Sequence, residues 1–114
     1  MILEILKKAK EKISDPANWC REMIAQKADG TAAYNKDPEA CKWCAAGAIW
    51  SSHEDSGLTR DAFQFMTKMI PELQETKLQS IFEVNDVLGH EAVMNLFDLA
   101  ISKLEPPAEP IVEQ

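Results

Sequence analysis

No stretch of this 114-residue chain approaches the roughly 20 consecutive apolar residues that span a bilayer, so a membrane-spanning helix is not expected. The first 13 residues do not read as an export signal. Lys7, Lys8, Lys10 and Lys12 interrupt them, and no small-residue cleavage site follows. The expected location is the cytoplasm. Cysteine is scarce and odd in number: Cys20, Cys41 and Cys44 are the only three. Without an export signal, that count argues against a disulfide framework and for reduced thiols. Cations are outnumbered, 12 Lys and Arg against 19 Asp and Glu. The excess is uneven: residues 1–30 hold six Lys/Arg and five Asp/Glu, and the remainder holds six and fourteen. Clustered cations are what nucleic acid phosphates require, so no nucleic acid partner is expected. A basic protein partner would be favoured in encounter rate, although solubility is the simpler reading of the same charge. Internal repeats are absent. Extended alternation is absent too, outside short pieces within residues 19–35.

What is present is helical periodicity on an ordinary apolar share of 46%, enough for one domain with a real core. Ile2, Ile5, Leu6, Ala9 and Ile13 line one face of a helix from near Ile2 to near Ser14. Asp15-Pro16 ends it, or caps a short new helix. Residues 19–26 are ambiguous, and residues 27–35 read as an exposed, mobile loop with a turn at Asp29-Gly30. Asp37-Pro38-Glu39 has the features of a helix start. The predicted helix runs from about residue 37 to 52. It is apolar nearly all round, hence buried and central, and contains Cys41-Lys42-Trp43-Cys44-Ala45-Ala46-Gly47-Ala48. Thr59 is a plausible cap for a third helix with Ala62, Phe63, Phe65, Met66, Met69 and Ile70 on its buried side. Leu73, Leu78, Ile81 and Phe82 suggest a short helix before Asn85-Asp86. Val93, Leu96, Phe97, Ala100, Ile101 and Leu104 mark the clearest helix, with Gly89 and His90 at its start. The expected fold is therefore all-α: a compact bundle of four or five helices over residues 1–104, around the 37–52 helix, with room for a short extended segment in 19–35. Pro106, Pro107 and Pro110 end regular structure, so 105–114 is expected to be a disordered acidic tail.

Three constellations carry possible chemistry. Cys41 and Cys44 have Cys-x-x-Cys spacing, and Cys20 and His90 could add metal ligands. Within a helix, however, the pair reads more simply as small buried hydrophobes, so no metal or other cofactor is expected. Cys44 could be a nucleophile, with His90 and Asn85 or Asp86 as base and orienting group. Cys41 lies nearer the predicted helix start, where the dipole lowers a thiol pKa, but the surrounding alanines and tryptophans argue for burial, which raises it. Asn85-Asp86 with Gly89-His90 is best explained by side chains bonding free amides at a helix start. Trp19, Trp43 and Trp50 read as core or core-edge residues.

The order of these pieces resembles a known family. It runs Asp15-Pro16-x-x-Trp19, then Ala25-x-x-Ala28-Asp29-Gly30, then Asp37-Pro38-x-Ala40-x-x-Trp43-Cys44-Ala45-x-Gly47-Ala48. Asn85-Asp86 then precedes a helix with Val93-x-x-Leu96-x-x-x-Ala100-Ile101. The pattern is similar to a family of uncharacterised small bacterial and phage proteins, a domain of unknown function, over residues 1 to about 104. The resemblance implies that Trp19, Trp43, Cys44, Gly47, Ala48, Asn85 and Asp86 are signature positions. It also implies departures here: the family lacks a cysteine at Cys41, often has Thr at His90, and often has Trp at Val84. The first undercuts zinc, and the second undercuts a catalytic histidine. No activity comes with the family. The expected function is a small non-enzymatic interaction or regulatory module acting through a protein partner. The alternative is a thiol- or carboxylate-dependent enzyme using Cys44 or Asp86. Trp43 and Cys44 are expected to pack against the last helix, with Asn85-Asp86 bonded to nearby backbone.

Overall fold

The computed structural model describes residues 2–73 and 77–105. It corrects the all-α expectation: five α-helices are joined by a three-stranded antiparallel sheet.

α1 (Ile2–Ile13) buries Ile5, Leu6, Ala9 and Ile13, leaves Lys7 and Lys8 exposed and half-buries Lys10 and Lys12. Asp15 then caps a 3-10 turn, Pro16–Asn18, by accepting from the Ala17 amide. β1 (Ala25–Lys27) and β2 (Ala32–Ala33) form a hairpin across the Asp29-Gly30 turn. Gly30 takes φ +91° there, where a side chain would be strained, and Asp29 accepts from both the amide and the hydroxyl of Thr31.

β3 (Ala40–Trp43) pairs antiparallel with the other edge of β1, giving the order β2-β1-β3. This strand and α2 (Ala45–Trp50) replace the helix expected over 37–52. The reason is local. Asp37 does bond the Glu39 amide, as a cap would, and the Ala40 amide closes a turn onto the Asp37 carbonyl. The chain then leaves that turn extended and is recruited by β1. Gln26 pairs with Lys42 and Lys27 with Ala40, so Cys41 is the extra residue of a β-bulge. The helix begins only at Cys44, its N-cap. The expected burial does hold for α2, in which Ala45 through Ile49 are all buried. Its shortness and small residues allow a very close approach. A Cβ on Gly47 would overlap the backbone carbonyl oxygen of Ile24, the same oxygen that accepts from the Cys44 amide at 3.1 Å.

α3 (Ser56–Met69) is capped by Asp55, which accepts from Gly57 and Leu58. The expected cap, Thr59, instead lies buried inside the first turn and bonds the Ser56 carbonyl. A 3-10 turn, Ile70–Glu72, follows. α4 (Ile81–Glu83) runs directly into a π-helical turn, Val84–Leu88, and Gly89 leads into α5 (His90–Leu104).

α1, α2, α3 and α5 enclose one core, in which Ile5, Leu6, Ile13, Ile49, Met66, Leu96 and Phe97 are fully buried. Each such side chain contributes about 1.5–3 kcal/mol. The main neighbours of α2 are α1 and α3, followed by α4, rather than the last helix. Trp43 leans toward α1, with the Lys12 ammonium 4.4 Å from its ring centroid. Among the described residues no helix is long and apolar enough to cross a membrane. Of the expected tail, Glu105 pairs with Lys7 at 2.8 Å. Residues 106–114 lie outside the described residues.

Candidate functional site

Trp19, Trp43, Cys44 and Asn85 meet where β3 gives way to α2. Trp19 forms a parallel bridge with Trp43, and the Cys20 amide donates to the Trp43 carbonyl at 3.1 Å. The next rung of a parallel ladder would join the Ala45 amide to the Cys20 carbonyl. That rung cannot form, because Ala45 has already turned into the helix.

The Asn85 side chain takes its place. Its Oδ1 accepts from the Ala45 amide at 2.9 Å, and its Nδ2 donates to the Cys20 carbonyl at 3.1 Å. Oδ1 also accepts from the Trp19 indole at 2.6 Å, and Nδ2 donates to Asp86 Oδ1 at 2.9 Å. All four hydrogen-bonding positions of the amide are thereby used, and Asn85 is only 1% exposed. Asp86 continues the substitution: its Oδ1 accepts from the Glu22 amide at 2.9 Å. Two side chains from residues 85–86 thus stand in for a strand along residues 20–22. The substitution is tight enough to hold Glu22 at φ +64°, a left-handed conformation uncommon for a side-chain-bearing residue.

The π turn places this pair. Its closing bond runs from the Gly89 amide to the Val84 carbonyl, one residue wider than an α-turn. Val84 and Asn85 are both buried, Asp86 is half-buried, and Val87 and Leu88 point outward at 65% and 44% exposure. Gly89, at φ +98°, closes the turn against the Arg21 guanidinium.

The buried thiols of Cys20 and Cys44 are held protonated. Cys44 is 3% exposed, and its Sγ accepts from the Gly47 amide at 3.4 Å. Burial pushes its pKa up despite that bond. Burial, then the neighbouring Cys44, pushes Cys20 to about 11. Cys20 donates to the Met23 carbonyl at 3.6 Å. Cys41 sits half-buried at the bulge, so the Cys-x-x-Cys pair spans a strand and a cap rather than one helical face. Among the described residues, no three His, Cys, Asp or Glu side chains are grouped to hold a metal ion.

His90 is occupied elsewhere. Its Nε2 lies 2.7 Å from the Ile13 carbonyl, which requires the proton on that nitrogen. Its ring packs edge-on against Trp19, with centroids 5.4 Å apart. The Trp43 indole donates to the Asn35 carbonyl at 3.0 Å. The fold therefore brings Trp19, Cys20, Cys44, Asn85 and Asp86 together around the Trp43 backbone, while the polar atoms of the His90 ring and the Trp43 indole bond backbone carbonyls outside this group.

One cavity opens on this junction, with a volume of about 280 Å³, lined by Glu22, Met23, Ile24, Cys44, Phe82 and Asp86. Phe82 is 39% exposed and closes an aromatic trio with Trp50 and Phe63, at 6.0 Å from each. Sequence reasoning missed Glu22, Ile24, Val87 and Leu88. The one usable signal was Val87-Leu88, two apolar residues between a polar pair and a helix start.

A model of a family of unknown function, DUF6197, matches residues 1–103, and the chain belongs to that family. Comparison with curated proteins and with solved structures gives no match.

Proposed function

We propose that this family member is a small non-enzymatic protein-interaction or regulatory module, of bacterial, phage or prophage source, acting in the cytoplasm through a protein partner. The observation that carries the reading is the set of exposed apolar side chains within residues 82–88. Phe82, Val87 and Leu88 are exposed together on one short segment. Glu22, Glu83, Asp86 and Glu91 flank them in the chain or line the adjoining cavity. An exposed apolar patch with a polar rim is a common form of interaction surface, and an acidic rim favours a basic partner. The groups a catalytic reading needs are engaged: Asn85 has no free hydrogen-bonding position, His90 holds a backbone carbonyl, and burial keeps Cys44 a neutral thiol.

The test is differential. Val87→Asp and Leu88→Asp place charge at exposed positions and should leave the melting temperature unchanged. A specific partner held by the wild-type chain from extract of its native cell should be lost by both variants. Retention unaffected by either substitution removes this face from the function.

A second reading is favoured by one observation, that Cys44 and Asp86 line the same cavity. In a thiol- or carboxylate-dependent enzyme, Cys44 would react rapidly with a small thiol probe in the native state. Labelling that appears only on unfolding rejects a Cys44 nucleophile.

A further inference from the structure

We propose that the cavity beside Phe82 is a socket for one arginine side chain of the partner protein. The inference rests on the interaction reading above and names the anchor that reading lacks. The walls are mostly apolar: Met23, Ile24, Phe82 and the neutral thiol of Cys44. They suit the aliphatic stem of a long side chain. The polar groups are two carboxylates, Glu22 and Asp86. Asp86 Oδ1 already accepts two N–H groups, whereas Oδ2 has no partner among the described residues. Glu22 makes no ion pair there either. The neighbouring Arg21 forms no ion pair with them among the described residues; its guanidinium lies over the Trp19 ring, 5.3 Å from the centroid.

The occupant that satisfies this lining has a cationic head with several donors, a flat face for an aromatic ring and an apolar stem. A guanidinium has five donors in a planar fork and stacks on aromatic faces, whereas an ammonium is a strongly hydrated point charge. A volume of about 280 Å³ admits a single side chain. Phe82, 39% exposed at the cavity's edge, would receive apolar neighbours of that arginine, as interface anchors are commonly surrounded.

The experiment uses the full chain, 15N-labelled, titrated with Nα-acetyl-arginine amide and followed by amide chemical shifts. Saturable shifts at Glu22, Ile24, Cys44 and Asp86 are expected, with a Kd on the order of millimolar for one unassisted side chain. The citrulline analogue, of nearly the same shape but uncharged, should bind at least tenfold more weakly. So should the Asp86→Asn variant, which keeps an oxygen acceptor for the Glu22 and Asn85 bonds and so preserves the junction. Glu22→Gln provides a second charge-removing variant should Asp86→Asn fail to fold. Equal binding of arginine and citrulline, or no shifts at these residues, overturns the proposal. Equal or tighter binding of spermidine at the same residues overturns the assignment to an arginine side chain in favour of a free polyamine. The titration reads arginine amide on the isolated chain and the partner test reads Val87→Asp and Leu88→Asp against extract, so failure of the socket and failure of the interaction face are separable.

Discussion

Replacing Asn85 by alanine would remove four hydrogen bonds at once, and their surroundings set the cost. The Ala45 amide and the Cys20 carbonyl are buried partners. Each, left unpaired, costs about 1–3 kcal/mol. The Trp19 indole and Asp86 Oδ1 are only part-buried in their bonds to Asn85, so water can replace much of what they lose. A water molecule entering the vacated space would recover part of the rest. The net expectation is a loss of about 3–5 kcal/mol. A chain of 114 residues has a total stability of roughly 6–17 kcal/mol, so the variant should lose a substantial share of it. Urea unfolding followed by tryptophan fluorescence measures this directly. With a slope of about 2 kcal/mol per molar for a small domain, the midpoint should fall by about 2 M. A fall worth less than about 1 kcal/mol refutes the claim that Asn85 completes the ladder. It would return the residue to the list of groups held in place for another purpose.

Gly47→Ala should be more damaging than the addition of a single methyl group elsewhere suggests, because the obstacle is the Ile24 backbone and not a side chain that can turn aside. A loss of about 3 kcal/mol or more is expected, read as a drop in melting temperature on the order of 10 °C. Cys44→Ser should leave stability within about 1 kcal/mol, since serine is a preferred N-cap; a large loss in thermal melts would show that the sulfur's bulk matters more than its cap bond. Alkali should weaken the fold through the buried thiols. Their folded pKa values are raised, so the stability they add is complete below about pH 9 and is lost as pH climbs through the folded values. For Cys20, held near 11, the loss at pH 10.5 is about 2 kcal/mol. Urea midpoints at pH 8 and 10.5 should therefore converge more in Cys20→Ala than in the wild type, and an identical pH dependence of the two chains would contradict the assignment.

The long helices were legible because α1, α3 and α5 carry uninterrupted apolar periodicity over 12, 14 and 15 residues. The sheet was not. Its strands are two to four residues of Ala, Gln, Lys, Cys and Trp, too short for alternation and poor in β-branched residues. Asp37-Pro38-Glu39 carried start-of-helix chemistry, but the Asp37 bonds closed an isolated turn. The true helix start used cysteine as a cap, outside the residue types that usually mark one. At the site, the grouping of Trp19, Cys44, Asn85 and Asp86 could be suspected from the family pattern. Their roles could not, since the ladder substitution depends on residues 40 to 66 positions apart. The π turn that buries Val84 and Asn85 together leaves no recognisable mark in the sequence, and it is what exposes Val87 and Leu88.

The stand-in strand also bears on how the chain is made. Until residues 85 and 86 arrive, the Cys20 carbonyl and the Glu22 amide form an open strand edge, the kind of surface that pairs with other chains. During synthesis, more than 60 further residues separate that edge from its cover. A fragment ending before Asn85 would hold β1, β2 and β3 with this edge unprotected. The same asparagine and aspartate that fix the junction in the finished molecule would therefore also cover it against self-association, and cleavage between α3 and the π turn would expose an internal seam as a sticky edge.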